Sequence, residues 1–355
     1  MNGAPIRIAL LPGDGIGPDV IAEALRVLDA AARRVSGLHY HFEQFSVGAG
    51  EYLRSGSPLP QEAFTRLRDF DAILLGAMGL PGVRWPSGVE MTPQIDLREK
   101  LDLYAGLRPI YLFHTDDSPL KNRAAGAIDF VIVRESTEGL FAARHEQHAP
   151  DADCVSDKMV VTRRGAERVV RSAFKLAVKR RRHVTLIDKA NVLPSMAFFR
   201  RVFDEVATGF PEVETNRVYV DAAALYFVQR PEMFDVIVTE NMFGDILSDL
   251  AAGLVGGMGM APSADIGDCY AVFQPSHGSA PDIAGQGIAN PVATILSAAM
   301  MLDWIDTAPS RTGAGLIRAA VQRVFADRNR RTRDMGGSLS TTQMGDAVIA
   351  ALESQ

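Results

Sequence analysis

Strand-like apolar runs alternate with helix-like segments along most of the 355-residue chain. No other feature of the sequence narrows the fold as much, because such alternation belongs to an α/β architecture rather than to a helical bundle or a sandwich. The expected strands are Ile6 to Leu11, Ala72 to Leu75, Phe130 to Val133, Val184 to Ile187, Arg217 to Val220 and Val236 to Val238. Between Thr162 and Arg182, Val169, Val170, Ala173, Phe174, Ala177 and Val178 recur at helical spacing behind Thr162, a residue suited to an N-cap. At this length, and 47% apolar, the chain has enough core for one large or two medium domains. The Gly- and Pro-rich stretch from Gly76 to Gly88 reads as a long surface loop.

Several classes of function are disfavoured. A net charge of −6 gives no reason to expect nucleic acid or an anionic membrane as partner. The densest basic run, Lys175 to Val184, is expected to end a helix, where cations complement the dipole, rather than to bind phosphate. Two cysteines, Cys154 and Cys269, make neither a disulfide framework nor a clustered zinc site. With no secretory signal and no run long enough to span a bilayer, a reducing cytoplasmic setting is expected.

The segment "LLPGDGIGPDV", Leu10 to Val20, looks at first like a phosphate-gripping turn. A dinucleotide fingerprint needs G-x-G-x-x-G, and counted from Gly13 the third glycine position is Pro18. A strand, a tight turn and a helix starting at Pro18 or Asp19 still fit, since proline suits a first helical turn. On these residues alone, a turn that needs positive φ and a ligand contact are equally open readings.

Two constellations carry more chemistry. In "ENMFGDILSDLAAG", Asp245 and Asp249 are four apart, so on a helix both carboxylates share a face. Alone they could be a solvated acidic face; with Asp221, just after an expected strand, three carboxylates could meet Mg²⁺ or Mn²⁺. Arg98, Arg108 and Arg134 each stand beside an expected strand or helix. Guanidinium groups pair bidentately with carboxylates, so their convergence would suit a substrate with more than one carboxylate.

"LLPGDGIGPDV", "LRP", "VRESTEG", "DKANVL", "VDAAALYFV", "NMFGDILSDL" and "HGSAPDIAGQGIANP" occur in this order from about Ile6 to the C-terminal segment. The chain thereby resembles the β-decarboxylating dehydrogenases, the isocitrate/isopropylmalate dehydrogenase family, and looks nearest to its isopropylmalate branch. The resemblance implies a two-domain α/β fold with a shared sheet and a central cleft, not a standard Rossmann fold. Residues 1–103 and 256–355 would form a large cofactor-side domain, and residues 104–255 a small domain with the dimer interface. It implies NAD, a divalent cation (Mg²⁺ or Mn²⁺) and a small hydroxy dicarboxylate as partners. The loop His277, Gly278, Ser279, Ala280, Asp282 and Ile283, with Asn290, would hold the adenosine end, and Asp282 would favour NAD over a 2′-phosphate. The first glycines would then shape the core near the cleft.

By the same resemblance, Arg98, Arg108 and Arg134 would clamp a malate-type substrate, and Asp221, Asp245 and Asp249 would hold the cation. Lys189, expected to be buried among cationic neighbours, would relay the hydroxyl proton, and Asn191 would lie near the nicotinamide and substrate. Lys189 and Asp221 would enter from a second subunit, implying a homodimer with shared sites. Hydride would pass to NAD, and the β-keto acid would then lose CO₂.

Two departures bear on that expectation. Where the family has a tyrosine that protonates the enolate, this chain has Phe141, which keeps the shape but has no proton to give. Where the isopropylmalate enzymes place leucines before the first clamp arginine, it has Gln94 and Ile95. Gln94 either points to solvent or favours a C3 substituent that is itself polar, as in tartrate-like or isocitrate-like acids. Oxidation without decarboxylation and a non-catalytic homologue are the rival readings, and the intact Lys189, aspartates and arginines count against the second.

Overall fold

The computed structural model describes residues 5–86, 88–146 and 151–354. Ten strands form one sheet: β1 (Ile6–Gly13), β2 (Tyr40–Gln44), β3 (Ala72–Ala77), β4 (Ala105–Tyr111), β5 (Asp129–Glu135), β6 (His183–Asp188), β7 (Glu214–Tyr219), β8 (Val236–Thr239), β9 (Pro262–Ile266) and β10 (Ala271–Pro275). Their order is β2-β1-β3-β10-β9-β4-β5-β8-β6-β7. The pairs β10–β9, β9–β4 and β4–β5 are antiparallel, whereas both flanks are parallel. This mixed centre departs from the all-parallel doubly wound sheet, as expected from the resemblance. All six strands read from the sequence are present; β2, β4, β9 and β10 were not read.

The helices are α1 (Gly17–Arg34), α2 (Ala49–Ser55), α3 (Gln61–Leu67), α4 (Pro93–Lys100), α5 (Arg163–Val178), α6 (Pro194–Ala207), α7 (Val220–Gln229), α8 (Asn241–Gly253), α9 (Val292–Ile305), α10 (Ala308–Ala326) and α11 (Thr341–Glu353). α5 is the helix read behind Thr162, whose Oγ1 accepts from the Gly165 amide at 3.0 Å. Its stripe Val169, Val170, Ala173, Phe174 and Ala177 is buried. The basic run follows its end, where Arg180 and Arg181 pair with Asp129 and Asp235. Those charges are committed to structure.

One core joins the two chain ends: Ile8, Leu28 and Leu74 pack with Leu302, Val324 and Leu352. Separate cores lie between α5, α6 and the sheet, around Phe174 and Phe203, and on the other side around Phe130, Phe227 and Leu247. The segment from Gly76 begins inside β3 and continues as a loop to α4, as expected; Ser87 lies outside the described residues.

Candidate active site

The glycine turn is structural. Gly13 and Gly15 have φ of 73° and 58°. A Cβ on Gly15 would stand 1.9 Å from the Ser279 carbonyl oxygen, which accepts from the Ile16 amide at 2.8 Å. Asp14, buried beside them, accepts from the amides of Ala49, Gly50 and Gly79. The turn therefore holds the His277 loop in place by close backbone approach.

The three arginines converge. Arg98 comes from the last turn of α4, Arg108 from β4 and Arg134 from β5, and together with Gln94, Ile95, Phe141, Asp245 and Asp249 they line one cavity of about 220 Å³. All three are buried, Arg134 to 2% exposure. A guanidinium is buried this deeply only when it is paired. Arg98 Nε donates to Asp265 Oδ2 at 2.8 Å and Arg108 Nη2 to Asp265 Oδ1 at 3.1 Å. Arg134 donates from Nε and Nη2 to Asn241 Oδ1, at 2.9 and 2.6 Å, and pairs with Asp245. Gly244 lets its stem pass α8, where a Cβ would lie 2.6 Å from Arg134 Cγ.

Burial, with the neighbouring charges of Arg98 and Arg108, pulls the Arg134 guanidinium down to about 10, so it remains cationic at neutral pH. Burial alone would raise Asp265, but Arg98, Arg108 and Arg134 hold it at about 2. Partial desolvation and the adjacent Asp245 charge push the Asp249 carboxyl above the usual range. That mutual discomfort is relieved when a cation joins two carboxylates.

Gln94 faces the cavity rather than solvent, and its Oε1 is buried with no partner. Phe141, on a 3₁₀ turn spanning Leu140–His145, lies under Arg134, with Cζ 5.2 Å from the ring centroid. A cation over an aromatic face is favourable, so the ring helps to seat that arginine.

His277 and Gly278 border this cavity, and His277 also borders a second, of about 490 Å³, together with Ile16, Asp282, Ile283 and Asn290. The His277 Nε2 is buried with no partner, and burial pushes the ring below its ordinary pKa, keeping it neutral. Ser279 is buried against the glycine turn, and Ala280 takes a left-handed φ of 37°. Asn290 Nδ2 donates to Asp334 Oδ2 at 3.1 Å. An unpartnered neutral imidazole and an exposed Asp282 at the rim suit the adenosine half of a dinucleotide.

Within one chain, Lys189, Asp221 and Asn191 stand away from the arginine cavity, and their expected entry into a second subunit's cleft concerns an assembly. Asp221 does not join Asp245 and Asp249: among the described residues no three His, Cys, Asp or Glu side chains form a metal-holding group. Asp221 lies in the first turn of α7, and its Oδ1 accepts from Lys189 Nζ at 2.6 Å, which lowers its pKa. Lys189 is not buried among cations; its side chain is 27% exposed, facing that acid and, at 6.0 Å, the Tyr219 ring. Asn191, in the same β6–α6 turn, is exposed and borders neither cavity.

Asp265, Asn241 and Gln274 were not read from the sequence as site residues. The available signal was an acid inside the apolar stretch "APSADIGD", where a buried carboxylate needs partners. A larger cavity, about 730 Å³, lies across the sheet, bordered by Leu107 and Pro109 rather than Arg108. Its charged side chains Arg318 and Asp303 pair with each other, as do Arg180 and Asp129.

The mixed sheet thus carries an arginine-lined cavity that shares His277 with a second cavity, an arrangement suited to an acidic ligand beside a second bound group. The chain belongs to the isocitrate/isopropylmalate dehydrogenase family, whose sequence pattern matches residues 7–348, and it is an enzyme of the β-decarboxylating dehydrogenase type. It is 46% identical to the 3-isopropylmalate dehydrogenase of Moorella thermoacetica, over 98% of this chain and 99% of that one, and 43% identical to the enzyme so named from Bacillus subtilis, over 98% of each. Among solved structures, isocitrate dehydrogenase from Methylococcus capsulatus matches with a TM-score of 0.88 at 36% identity, covering 98% of this chain and 99% of that one. The apo form of a β-decarboxylating dehydrogenase from Thermococcus kodakarensis matches at 0.82 and 40% identity, covering 98% and 96%. No helix among the described residues is long and apolar enough to cross a membrane.

Proposed function

We propose that the protein oxidises a 3-substituted malate of the 3-isopropylmalate kind, using NAD and a divalent cation, with β-decarboxylation. The observation that carries this reading is the convergence of Arg98, Arg108 and Arg134 on a cavity that also holds Asp245 and Asp249 and meets a second cavity at His277. Three guanidiniums bind and orient carboxylates, and Ile95 and Phe141 supply apolar wall to the same site. Asp245 and Asp249 would hold Mg²⁺ or Mn²⁺, with Asp221 from a partner subunit; such an ion acts as a Lewis acid toward a hydroxyl and the developing enolate. The second cavity would take NAD, with Asp282 at the ribose hydroxyls.

Lys189, paired with Asp221 and standing free of its own chain's cavity, would receive the hydroxyl proton when these residues enter a second subunit's cleft, with Asn191 beside the nicotinamide. Exposed apolar residues on α7 and α8, Leu225, Val228 and Ile246 at 52, 48 and 60%, support a homodimer. Divided as residues 1–103 with 256–355 against 104–255, the chain would hold this cleft between two domains.

NADH formation at 340 nm with Mn²⁺, with CO₂ recorded, tests the reading across D-malate, D- and meso-tartrate, isocitrate, homoisocitrate and 3-isopropylmalate. Matching NADH and CO₂ on 3-isopropylmalate is expected; no reaction with any acid defeats it. A second reading rests on Phe141 and Gln94: oxidation of a tartrate-, D-malate- or isocitrate-type acid without efficient decarboxylation. NADH without CO₂ would select it.

A further inference from the structure

The arginine cleft contains its own acid. Asp265 is fully buried and accepts from Arg98 Nε, Arg108 Nη2 and, at 2.7 Å, Gln274 Nε2. Held by three donors and fully buried, it is shielded from solvent. It fixes the planes of two guanidinium forks before any ligand arrives, and a preset fork loses less freedom on binding a carboxylate. Its charge stays on throughout the working pH range, since the three arginines hold it at about 2 against the effect of burial.

We propose that Asp265 is a positioning and charge-setting residue of this cleft, cancelling one of three cationic charges so that the site selects a dicarboxylate with an uncharged C3 substituent over a tricarboxylate. The inference rests on the proposed function and narrows its substrate. Asp265, Asp245 and Asp249 together offset the three guanidiniums, so with a divalent cation held by Asp245 and Asp249 the cleft carries a net charge of two, matched by two carboxylates. A third carboxylate would enter a desolvated site beside a fixed anion and without a cation of its own, an arrangement that costs binding free energy. Gln94 lines the same cavity without supplying a cation, so a third carboxylate finds no counter-charge on that side either.

The test is equilibrium binding by calorimetry, on the full chain with Mg²⁺ and without NAD. The probes are 3-isopropylmalate and isocitrate, two malates whose C3 groups are similar in size and differ by one charge. The wild type is expected to bind 3-isopropylmalate at least tenfold more tightly. Asp265→Asn keeps the shape and removes the charge, and is expected to shift the affinity ratio toward isocitrate by tenfold or more. Equal effects on both ligands would mean a structural role only and overturn the proposal. If the variant does not fold, the wild-type ratio still decides: isocitrate bound as tightly as 3-isopropylmalate, or more tightly, overturns it. Failure of the wild type to bind either acid would instead defeat the proposed function, and this inference with it.

Discussion

The arginine cleft and the Lys189–Asp221 pair are built in opposite ways. Arg98, Arg108 and Arg134 are buried, satisfied by Asp265, Asn241 and Asp245, and complete within one chain. Lys189 and Asp221 touch only at 2.6 Å, with side chains 27% and 70% exposed, on a surface that also carries exposed Leu225 and Val228. Binding groups set in a core hold their geometry before the ligand comes. Proton-transfer groups left on a surface have theirs supplied by whatever covers them. The difference teaches that one chain carries a finished binding half, whereas under the function proposed above its chemical half is completed by a second subunit.

The sharpest way to break this comparison is Lys189→Met. Because the pair is exposed, the variant should melt within a few degrees of wild type, while turnover falls about 10²–10⁴-fold, the usual contribution of a positioned acid–base group. Mixing it with Arg134→Met subunits should restore part of the activity, since each hybrid then holds one site with both halves intact. Hybrids no more active than the parents would show that both halves serve the same chain.

Arg134→Met acts on the other side of the comparison. It leaves Asn241 Oδ1 without either of its donors and Asp245 without its counter-ion. Asp245 is about half exposed and can hydrate, so the cost comes from the stranded Asn241 Oδ1, and chemical denaturation should show a loss of about 1–3 kcal/mol. A loss under about 1 kcal/mol would mean the cleft is less committed within the chain than its hydrogen bonds indicate.

The same division governs what was legible in the sequence. The flanking parallel strands β1, β3, β6 and β8 are apolar runs and read as strands, whereas the more polar edge strand β2 does not. β4, β9 and β10 are the central antiparallel strands, and they carry Arg108, Asp265 and Gln274 between prolines and glycines. Polar site residues break the apolar pattern that reveals a strand, so the elements closest to the chemistry were the hardest to read. The arginines were legible because guanidiniums have a strong chemical preference, whereas Asp265 matters through its partners, which only the fold brings together. Gln94 was left undecided because side-chain direction at the start of a short helix is set by packing. For Lys189 and Asp221 the residues were legible, and within one chain they stand apart from Asp245 and Asp249; the relation proposed for them is one of an assembly.

Phe141→Tyr sharpens the comparison by restoring a proton donor to the finished half. The added hydroxyl keeps the ring beneath Arg134 and should raise CO₂-coupled turnover about 10²-fold, at the low end of acid catalysis. An unchanged rate of enolate protonation would show that another donor already serves.

The smallest effect expected is a pH dependence from His277. Burial holds its folded-state pKa below the ordinary value, against the opposing Gly278 hydrogen bond and the Asp334 charge. In the unfolded chain the ring gains a proton below about pH 6.5, whereas in the folded chain it does so only at lower pH. The unfolded state therefore binds more protons in that window, and stability falls as pH drops from about 6.5 toward the folded-state pKa. His277→Gln should flatten the melting temperature over that range and leave it unaltered above pH 7.5. An identical pH profile in the variant would mean that other groups set the acid limit, and that the cavity beside the cleft is open enough to hydrate the charged ring.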